Sequence, residues 1–296
     1  MDFTLSEQQA ALQESVRKFA RKELPAIARQ IEESDEPPGI ELRRRYAELG
    51  YLGVNLDEKY GGAGMSHLDA VIVLEEIAKV SIAVAFPIFE SCFGPSLAIA
   101  HFGSERLREK ILPRVCSGEI VVAVSMSEPD AGSALTDLST QARVEQDRVI
   151  INGNKRWCSG AGHSEAYVVY CRMDESPGAK AIGAVVVEKG CAGFTFGKRD
   201  HHMGFRGVAS ADMYFDDVEV PAENILVAAG GFGKLMDAFD LERCGNTTMS
   251  LAVAQSAFDY VLEYVKERQQ FSKPLVDFQA VQLQIAEMKM KLEASR

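Results

Sequence analysis

The chain has 296 residues, and 47% of them are hydrophobic, which is enough for a large core divided over two or three domains. Acidic residues outnumber basic ones by 43 to 32, so the net charge is −11. An acidic chain without a basic stripe argues against nucleic acid as the main partner.

The six cysteines form neither a CxxC pair nor a cluster with histidine at metal-ligand spacing. We therefore expect reduced thiols packed as small apolar groups, and no metal site. The N-terminal stretch MDFTLSEQQAALQ resembles neither a signal peptide nor a transit peptide, and we expect no membrane span. These features predict a cytoplasmic protein, or a mitochondrial matrix protein if the chain is a processed form.

Helical patterns fill residues 1–118. Ser6 and Gln9 form a capping-box pattern at the start of an amphipathic helix over 6–34. Further helices are predicted at 40–49, 66–81, 91–102 and 104–117. These patterns predict an all-helical N-terminal domain.

The pattern changes after Gly118, where short β-rich runs separated by turn residues begin. Strands are predicted at 119–126, 139–145, 148–157, 166–173, 181–188 and 212–220. Strands at this spacing without intervening helices are typical of an antiparallel sheet rather than of βαβ units. Residues 119–228 are therefore expected to form a middle antiparallel β domain.

Helical periodicity returns in residues 229–296, with one helix from Phe232 to about Arg268 and another from about Val276 to the end. Apolar residues continue at helical spacing to Leu292 and no cap follows them. We therefore expect a C-terminal helical bundle that is incomplete in this chain. Together the three parts predict an α+β multidomain fold.

Three segments carry polar groups suited to a ligand. In SMSEPDAGS, residues 125–133, hydroxyls and backbone amides after a buried strand suit a flat heterocycle, although the same residues also form ordinary turns. The segment GNKRWCSGAG places Trp157, the only tryptophan, two residues before Ser159, on one face of a strand. The alternative is a core tryptophan. In RQQFSKPLVDFQ, Arg268 suits a diphosphate, or merely caps a helix.

In this order, across an α–β–α chain, these segments resemble the acyl-CoA dehydrogenase family. SMSEPDAGS is similar to the family's strand-and-turn signature, and INGNKRWCSGAG to its tryptophan segment. GFRGVASADMYFDDVEVPAENIL at 204–226 resembles the stretch that closes its β domain, and FDLERCG at 239–245 matches its C-terminal helices. The resemblance covers the chain from the N-terminal helix onward.

The resemblance implies FAD bound between the β domain and the C-terminal helices. The backbone at Met126 and the hydroxyl of Ser127 would bond the flavin edge, Trp157 would pack beside the ring, and Ser159 would reach the N5 region. The residues implied to contact the FAD of a neighbouring subunit, in a homotetramer, are Arg268, Gln270, Phe271 and Gln279.

The implied reaction is α,β-dehydrogenation of an acyl-CoA thioester, with the α proton taken by a carboxylate and the β hydride passed to flavin N5. An electron-transfer flavoprotein would then reoxidise the flavin. Ser133, Asp240 and Arg243 would hold the pantetheine arm, although Asp240 and Arg243, three residues apart, also suit a surface ion pair.

The candidate base is Glu242, which corresponds to the glutamate used by a minority of the family. Most members use a later glutamate, which would lie beyond Arg296. An acyl-CoA oxidase, a flavin monooxygenase, and a non-catalytic acyl-CoA- or FAD-binding fragment remain alternatives.

Two positions depart from the family's pattern. Ala134 stands where Asp is usual, and Ser272 stands where Gly is usual. The acyl group is not indicated, because Phe86, Phe89 and Phe93 suit either an acyl pocket or the core, and the core is favoured.

Overall fold

The computed structural model describes residues 4–296. The first helix, α1 (Glu7–Ser34), begins at the predicted capping box. The Gln9 amide donates to Ser6 Oγ at 3.2 Å, and the Ser6 amide donates to Gln9 Oε1 at 3.1 Å. The other helices before the sheet are α2 (Ile40–Glu48), α3 (His67–Ala78), α4 (Ile82–Cys92), α5 (Pro95–Phe102) and α6 (Glu105–Cys116).

The breaks between α3, α4 and α5 differ from the prediction. The predicted helix over 66–81 ends at Ala78, because Ser81 caps a new helix by accepting from the Ala83 amide at 3.2 Å. The predicted helix over 91–102 is also divided, since Pro95 at the first position starts α5 after Gly94.

The segment Ile82–Phe102 has 21 residues and a mean hydropathy of 1.6 in its most apolar window, so it meets the length and composition of a membrane span. The expectation of no membrane span did not take account of this run, and it stays a prediction. However, 89% of the window is buried inside the protein. Burial of this kind is also found for the core helices of soluble proteins.

The middle of the chain forms one eight-stranded sheet. Its strands are β1 (Val122–Ser125), β2 (Gln141–Glu145), β3 (Arg148–Ser159), β4 (Ala166–Arg172), β5 (Ile182–Glu188), β6 (Phe194–Phe196), β7 (Ser210–Pro221) and β8 (Ile225–Val227). The order is β6-β7-β3-β2-β4-β5-β8, with β1 beside β4.

The sheet is mixed rather than wholly antiparallel. β1 runs parallel to β4 with Val122 opposite Ala166, and β2 meets β4 in parallel at Gln141 and Arg172. The other pairs are antiparallel. The predicted class of helical, sheet and helical parts is confirmed, whereas the parallel orientation of these two contacts and the short strands β6 and β8 were missed.

The last part holds a long helix, α7 (Phe232–Glu267), and a shorter one, α8 (Gln279–Ser295). A small hairpin of β9 (Gln269–Gln270) and β10 (Lys273–Pro274) joins them. Leu235 of α7 packs in a cluster with β1, β4 and β5, whereas Met249 and Ala252 pack among α1, α3 and α4. Helix α7 therefore packs against both the helical layer and the sheet.

Candidate active site

A buried ion pair fixes the loop that follows β1. Lys155 Nζ lies 2.8 Å from Glu128 Oε1 and donates to the Met126 carbonyl at 2.9 Å. Glu128 also accepts from the Ser139 amide at 2.6 Å and the Thr140 amide at 2.9 Å. Burial alone raises the pKa of Glu128, but the Lys155 charge and these hydrogen bonds outweigh it and lower the pKa to about 2. Glu128 is therefore an ionised structural group, unsuited to act as a base.

A β-bulge places the tryptophan. Lys155 lies opposite Met213 and Cys158 opposite Ala211, so three steps along β3 match two along β7. Trp157, inside this bulge, has a φ of +54°, in the left-handed region. Its side chain is 62% exposed, whereas Cys158 is buried. A core tryptophan is thus excluded, and a strained, exposed aromatic residue is typical of binding sites.

The loop after β1 and the bulge of β3 are neighbours. The Arg156 amide donates to the Ser127 carbonyl at 2.9 Å, and the Arg156 guanidinium lies 5.0 Å from the centre of the Trp157 ring. Within residues 4–296 the hydroxyls of Ser127 and Ser159 make no hydrogen bond. The structure thus brings together four sequence-predicted residues, Met126, Ser127, Trp157 and Ser159. An aromatic face beside free hydroxyls fits the ring of a flavin.

The hairpin after α7 carries the other residues predicted to contact FAD. Phe271 and Ser272 form its two-residue turn with φ of +51° and +63°, the geometry of a type I′ turn. Phe271 is 88% exposed, and Arg268, Gln270 and Gln279 are exposed as well. No hydrogen bond, ion pair or ring contact among residues 4–296 joins the hairpin to Trp157. These four side chains are therefore available to another molecule.

Glu242 lies on α7 and is half-buried. Burial raises the pKa of its carboxyl from the ordinary 4.5 to about 7. No ion pair holds it among residues 4–296. A carboxyl of this kind changes charge near neutral pH, which suits proton transfer.

The proposed substrate contacts are on the surface. Arg243 Nη1 lies 3.2 Å from Asp240 Oδ1, and the guanidinium lies 4.7 Å from the centre of the Phe239 ring. Both side chains of the pair are mostly exposed, and Ser133 is exposed in the turn before β2. The surface ion pair anticipated as an alternative is therefore present.

Sequence reasoning missed a second carboxyl, Glu90 on α4. It is only 3% exposed, and its Oε2 atom makes no hydrogen bond. Burial, and then the charge of Glu242, raise the pKa of Glu90 well above its usual range. One signal was present in the sequence, since Glu90 is the only charged residue in the apolar helix IAVAFPIFESC.

The phenylalanines on α4 and at its C-cap are core residues, as favoured from the sequence. Phe89 and Phe93 are buried, and their ring centres lie 6.5 Å apart in a stacked arrangement. Both face Gly245 of α7, where an added Cβ would lie 2.9 Å or less from atoms of each. Phe86 is partly buried and packs against the same core. Helices α4 and α7 therefore meet one turn beyond Glu242.

Three family models match the chain in succession. The N-terminal domain of acyl-CoA dehydrogenase matches residues 6–119, the middle domain matches 123–218, and the C-terminal domain matches 229–296. Together they account for almost the whole chain.

Relatives of known activity agree with these matches. Isovaleryl-CoA dehydrogenase of Arabidopsis thaliana is 35% identical, over 97% of this chain and 71% of its own length. The CarC subunit of the caffeyl-CoA reductase-Etf complex of Acetobacterium woodii is 37% identical, over 98% of this chain and 77% of its own.

Solved structures share the fold. Butyryl-CoA dehydrogenase of Megasphaera elsdenii superposes with a TM-score of 0.93 at 32% identity, covering 99% of this chain and 78% of its own. A glutaryl-CoA dehydrogenase of Mycobacterium smegmatis, solved with FADH2, gives 0.90 at 25% identity, covering 98% of this chain and 74% of its own.

Proposed function

The chain belongs to the acyl-CoA dehydrogenase family, and from this premise we propose that it removes hydrogen from the α and β carbons of an acyl-CoA thioester with Glu242 as the base. The observation that carries the proposal is the half-buried Glu242 carboxyl, which has no cationic partner among residues 4–296 and a pKa of about 7. Glu128, the other acid near the site, is held ionised by Lys155. Glu242 is therefore the carboxyl suited to accept a proton near neutral pH.

FAD is the cofactor of the family, and when bound it supplies the acceptor for the β hydride. The wall formed by Met126, Ser127, Trp157 and Ser159 fits this group, because it offers an aromatic face and two free hydroxyls. We assign to Trp157 the contact with the ring, and to the hydroxyls and the Met126 backbone the contacts with its polar edge.

Proton removal by Glu242 leaves negative charge on the thioester carbonyl. Hydrogen-bond donors aimed at that oxygen would stabilise the charge, as in an oxyanion hole. A bound acyl chain would exclude water, which strengthens these interactions and keeps the base poorly solvated. The same exclusion of water accounts for a raised pKa in the working site.

Asp240, Arg243 and Ser133 are proposed to hold the pantetheine arm of CoA. Their exposure supports the assignment, because a CoA arm reaches the buried base from the surface. An exposed ion pair adds little stability, so exchanging the Asp240–Arg243 contact for one with CoA costs little.

The exposed hairpin suits contact with a second copy of the chain. We propose that Arg268, Gln270, Phe271 and Gln279 complete the FAD site of a neighbouring subunit in a homotetramer. An electron-transfer flavoprotein is the proposed electron acceptor. Support comes from the Acetobacterium woodii relative, which is a subunit of a complex named for such a protein.

Anaerobic mixing of the FAD-loaded protein with isovaleryl-CoA and butyryl-CoA tests the proposal. We expect at least one of them to bleach the flavin absorbance and to yield the corresponding 2-enoyl-CoA. The reduced protein should then react quickly with electron-transfer flavoprotein and slowly with air-saturated buffer. Fast reoxidation by oxygen would indicate an oxidase or monooxygenase, and a protein that binds no flavin would indicate a non-catalytic role.

A further inference from the structure

The tryptophan bulge contains an arginine that the proposed function leaves without a role. Arg156 and Trp157 are the two bulged residues of β3, and Asp212 is the single residue of β7 that faces them. The bulge gives Trp157 a φ of +54°, which is unfavourable for a bulky side chain. Backbone of this kind persists only where its surroundings fix it, so the contacts on either side of Trp157 have to hold it in place.

The backbone is anchored on both sides of Trp157. On one side, the Arg156 amide donates to the Ser127 carbonyl at 2.9 Å. On the other side, Cys158 is buried and its thiol donates to the Val124 carbonyl at 3.3 Å. Both acceptors belong to β1 or to the loop that follows it. These bonds fix the backbone of Trp157, whereas the direction of its indole ring depends on side-chain contacts.

The guanidinium of Arg156 lies over one face of the indole. Its Cζ atom is 5.0 Å from the centre of the Trp157 ring. A guanidinium at this distance is attracted to the face of an aromatic ring. Arg156 Nε also lies 3.8 Å from Asp212 Oδ1 on the neighbouring strand. The arginine therefore links the indole to a carboxylate of β7.

The other face of the indole is open. Trp157 remains 62% exposed although Arg156 lies over one face. A planar ring has two faces, so the exposed area includes the face opposite the guanidinium. Among residues 4–296 no aromatic ring contacts Trp157. The open face is therefore available to a flat heterocycle, which aromatic side chains bind by stacking.

We propose that Arg156 is a positioning residue, which holds the Trp157 indole by one face so that the other face stacks on the flavin ring. This role rests on the proposed contact of Trp157 with FAD. Without the arginine, the indole would divide its time among about three staggered χ1 rotamers. Only one of them presents the ring to the flavin, so Arg156→Ala should weaken FAD binding about two- to fivefold.

Acrylamide quenching of the apoprotein tests the contact between the two side chains. Trp157 is the only tryptophan, so the fluorescence reports on this ring alone. Acrylamide is uncharged, so its access depends on steric cover and not on the charge of the arginine. Arg156→Ala uncovers one face and should raise the bimolecular quenching constant by at least about 1.5-fold. An unchanged constant would show that Arg156 does not cover the ring, and would overturn the proposal.

The affinity for FAD is measured on the same proteins by flavin absorbance after ultrafiltration. Arg143→Ala is the matched control, because Arg143 is an exposed arginine of β2 that pairs with Glu145 at 2.8 Å. The control should leave both the FAD affinity and the acrylamide quenching unchanged. Equal weakening of FAD binding in the two variants would mean that loss of positive charge causes it, which contradicts a positioning role for Arg156.

A double-mutant cycle with Trp157→Ala separates positioning from a direct contact of Arg156 with FAD. If Arg156 acts through the indole, Arg156→Ala should weaken FAD binding no further once the indole is absent. An equal loss with and without the indole would show that Arg156 touches FAD itself. Tighter FAD binding in Arg156→Ala alone would show that the guanidinium occupies the face that the flavin needs. Either of these results would overturn the positioning role.

Quenching of tryptophan fluorescence by FAD separates the role of Arg156 from the proposed contact of Trp157 with the flavin. Wild-type protein that binds FAD with little quenching would refute that contact, and the role of Arg156 with it. Strong quenching in the wild type, together with a wild-type FAD affinity in Arg156→Ala, would refute only the role of Arg156. Strong quenching with the expected loss of affinity supports both.

Discussion

Two glutamates near the proposed site have pKa values shifted in opposite directions, because their surroundings differ. Glu128 has a lysine at 2.8 Å and several backbone donors, so its pKa is lowered to about 2. Glu242 is half-buried and pairs with no cation among residues 4–296, so burial raises its pKa to about 7. The first is a fixed anion that shapes a loop, and the second is the proposed base, with a proton affinity suited to neutral pH.

The pH dependence of flavin reduction follows from Glu242. The base must be ionised to accept a proton, so the anaerobic rate with isovaleryl-CoA should rise with pH and level off above the pKa of about 7. Stopped-flow absorbance at a series of pH values measures this. A rate that instead levels off just above the ordinary carboxyl pKa of 4.5 would show that the reacting base is not buried in this way.

Removing the Glu128 charge should destabilise the fold. Both side chains of the Glu128–Lys155 pair are at most 2% exposed, so Glu128→Gln leaves a buried ammonium without its partner. We expect a loss of about 3–5 kcal/mol in the free energy of unfolding, measured by urea denaturation. Glu128→Gln with Lys155→Met should recover part of the loss, and an unchanged stability of the single variant would contradict the account.

Acid should weaken the same pair. The folded pKa of Glu128 lies below its ordinary 4.5, at about 2, so its stabilisation is complete above 4.5 and is lost as pH falls through that interval. Urea midpoints across the interval should fall less steeply in Glu128→Gln. If the urea midpoints of the two proteins fall equally steeply with pH, groups other than Glu128 cause the loss of stability in acid.

The candidate site residues could be proposed from the sequence, but their burial and protonation could not. Trp157 and the two serines stood out by type and spacing, and the structure brings them together with Met126. The exposure of Trp157 depends on a bulge, which strand periodicity does not reveal. Glu90 was missed because its burial depends on packing between elements, which one acid in an apolar helix does not reveal.

At the scale of elements, the bulge in β3 provides a direct probe of the cofactor. Trp157 is the only tryptophan of the chain and is 62% exposed on the proposed flavin wall. FAD added to the apoprotein should therefore quench most of the tryptophan fluorescence. Trp157→Phe should weaken FAD binding measured by flavin absorbance after ultrafiltration. Little quenching at saturating FAD would place the cofactor elsewhere.

The contact between α4 and α7 should tolerate no added methyl group. A Cβ at Gly245 would lie 2.8 Å from Phe89 and 2.9 Å from Phe93, so Gly245→Ala should cost about 1–3 kcal/mol of stability despite the higher helix propensity of alanine. It should also slow flavin reduction, because Glu242 lies one turn away.

Gly233 in the same helix is the matched control. A Cβ there meets nothing within 4 Å, so Gly233→Ala should be neutral or stabilising by up to about 1 kcal/mol. Thermal unfolding compares the two variants. Equal effects would show that packing against α4 does not decide the cost at Gly245.

Some elements were predictable because their signals are local. The capping box gave the start of α1, and most strands are long enough to show their pattern. The strands β6 and β8 have three residues each, too few for any periodicity, and were missed. The parallel contact of β1 with β4 depends on distant pairing, which local patterns do not record.

At the scale of the whole molecule, the proposed site lies where the helical layer and the sheet meet along α7. The proposed flavin contacts come from the loop after β1 and from β3, and the proposed base comes from α7. The family resemblance predicted these members, since each lies in a recognisable segment. It could not supply the packing of Gly245 against Phe89 and Phe93, which depends on contacts between residues far apart in the sequence.

The most direct measurement of the central claim is the single-turnover rate of flavin reduction by isovaleryl-CoA, or by butyryl-CoA if it reacts faster, in Glu242→Gln. Glu263→Gln is the control, since Glu263 is exposed on the same helix and pairs only with Lys266 at 2.8 Å among residues 4–296. Loss of the base predicts a rate lower by about 10²- to 10⁴-fold in Glu242→Gln and unchanged in the control. A rate for Glu242→Gln within about twofold of wild type, with FAD and acyl-CoA still bound, would contradict the account.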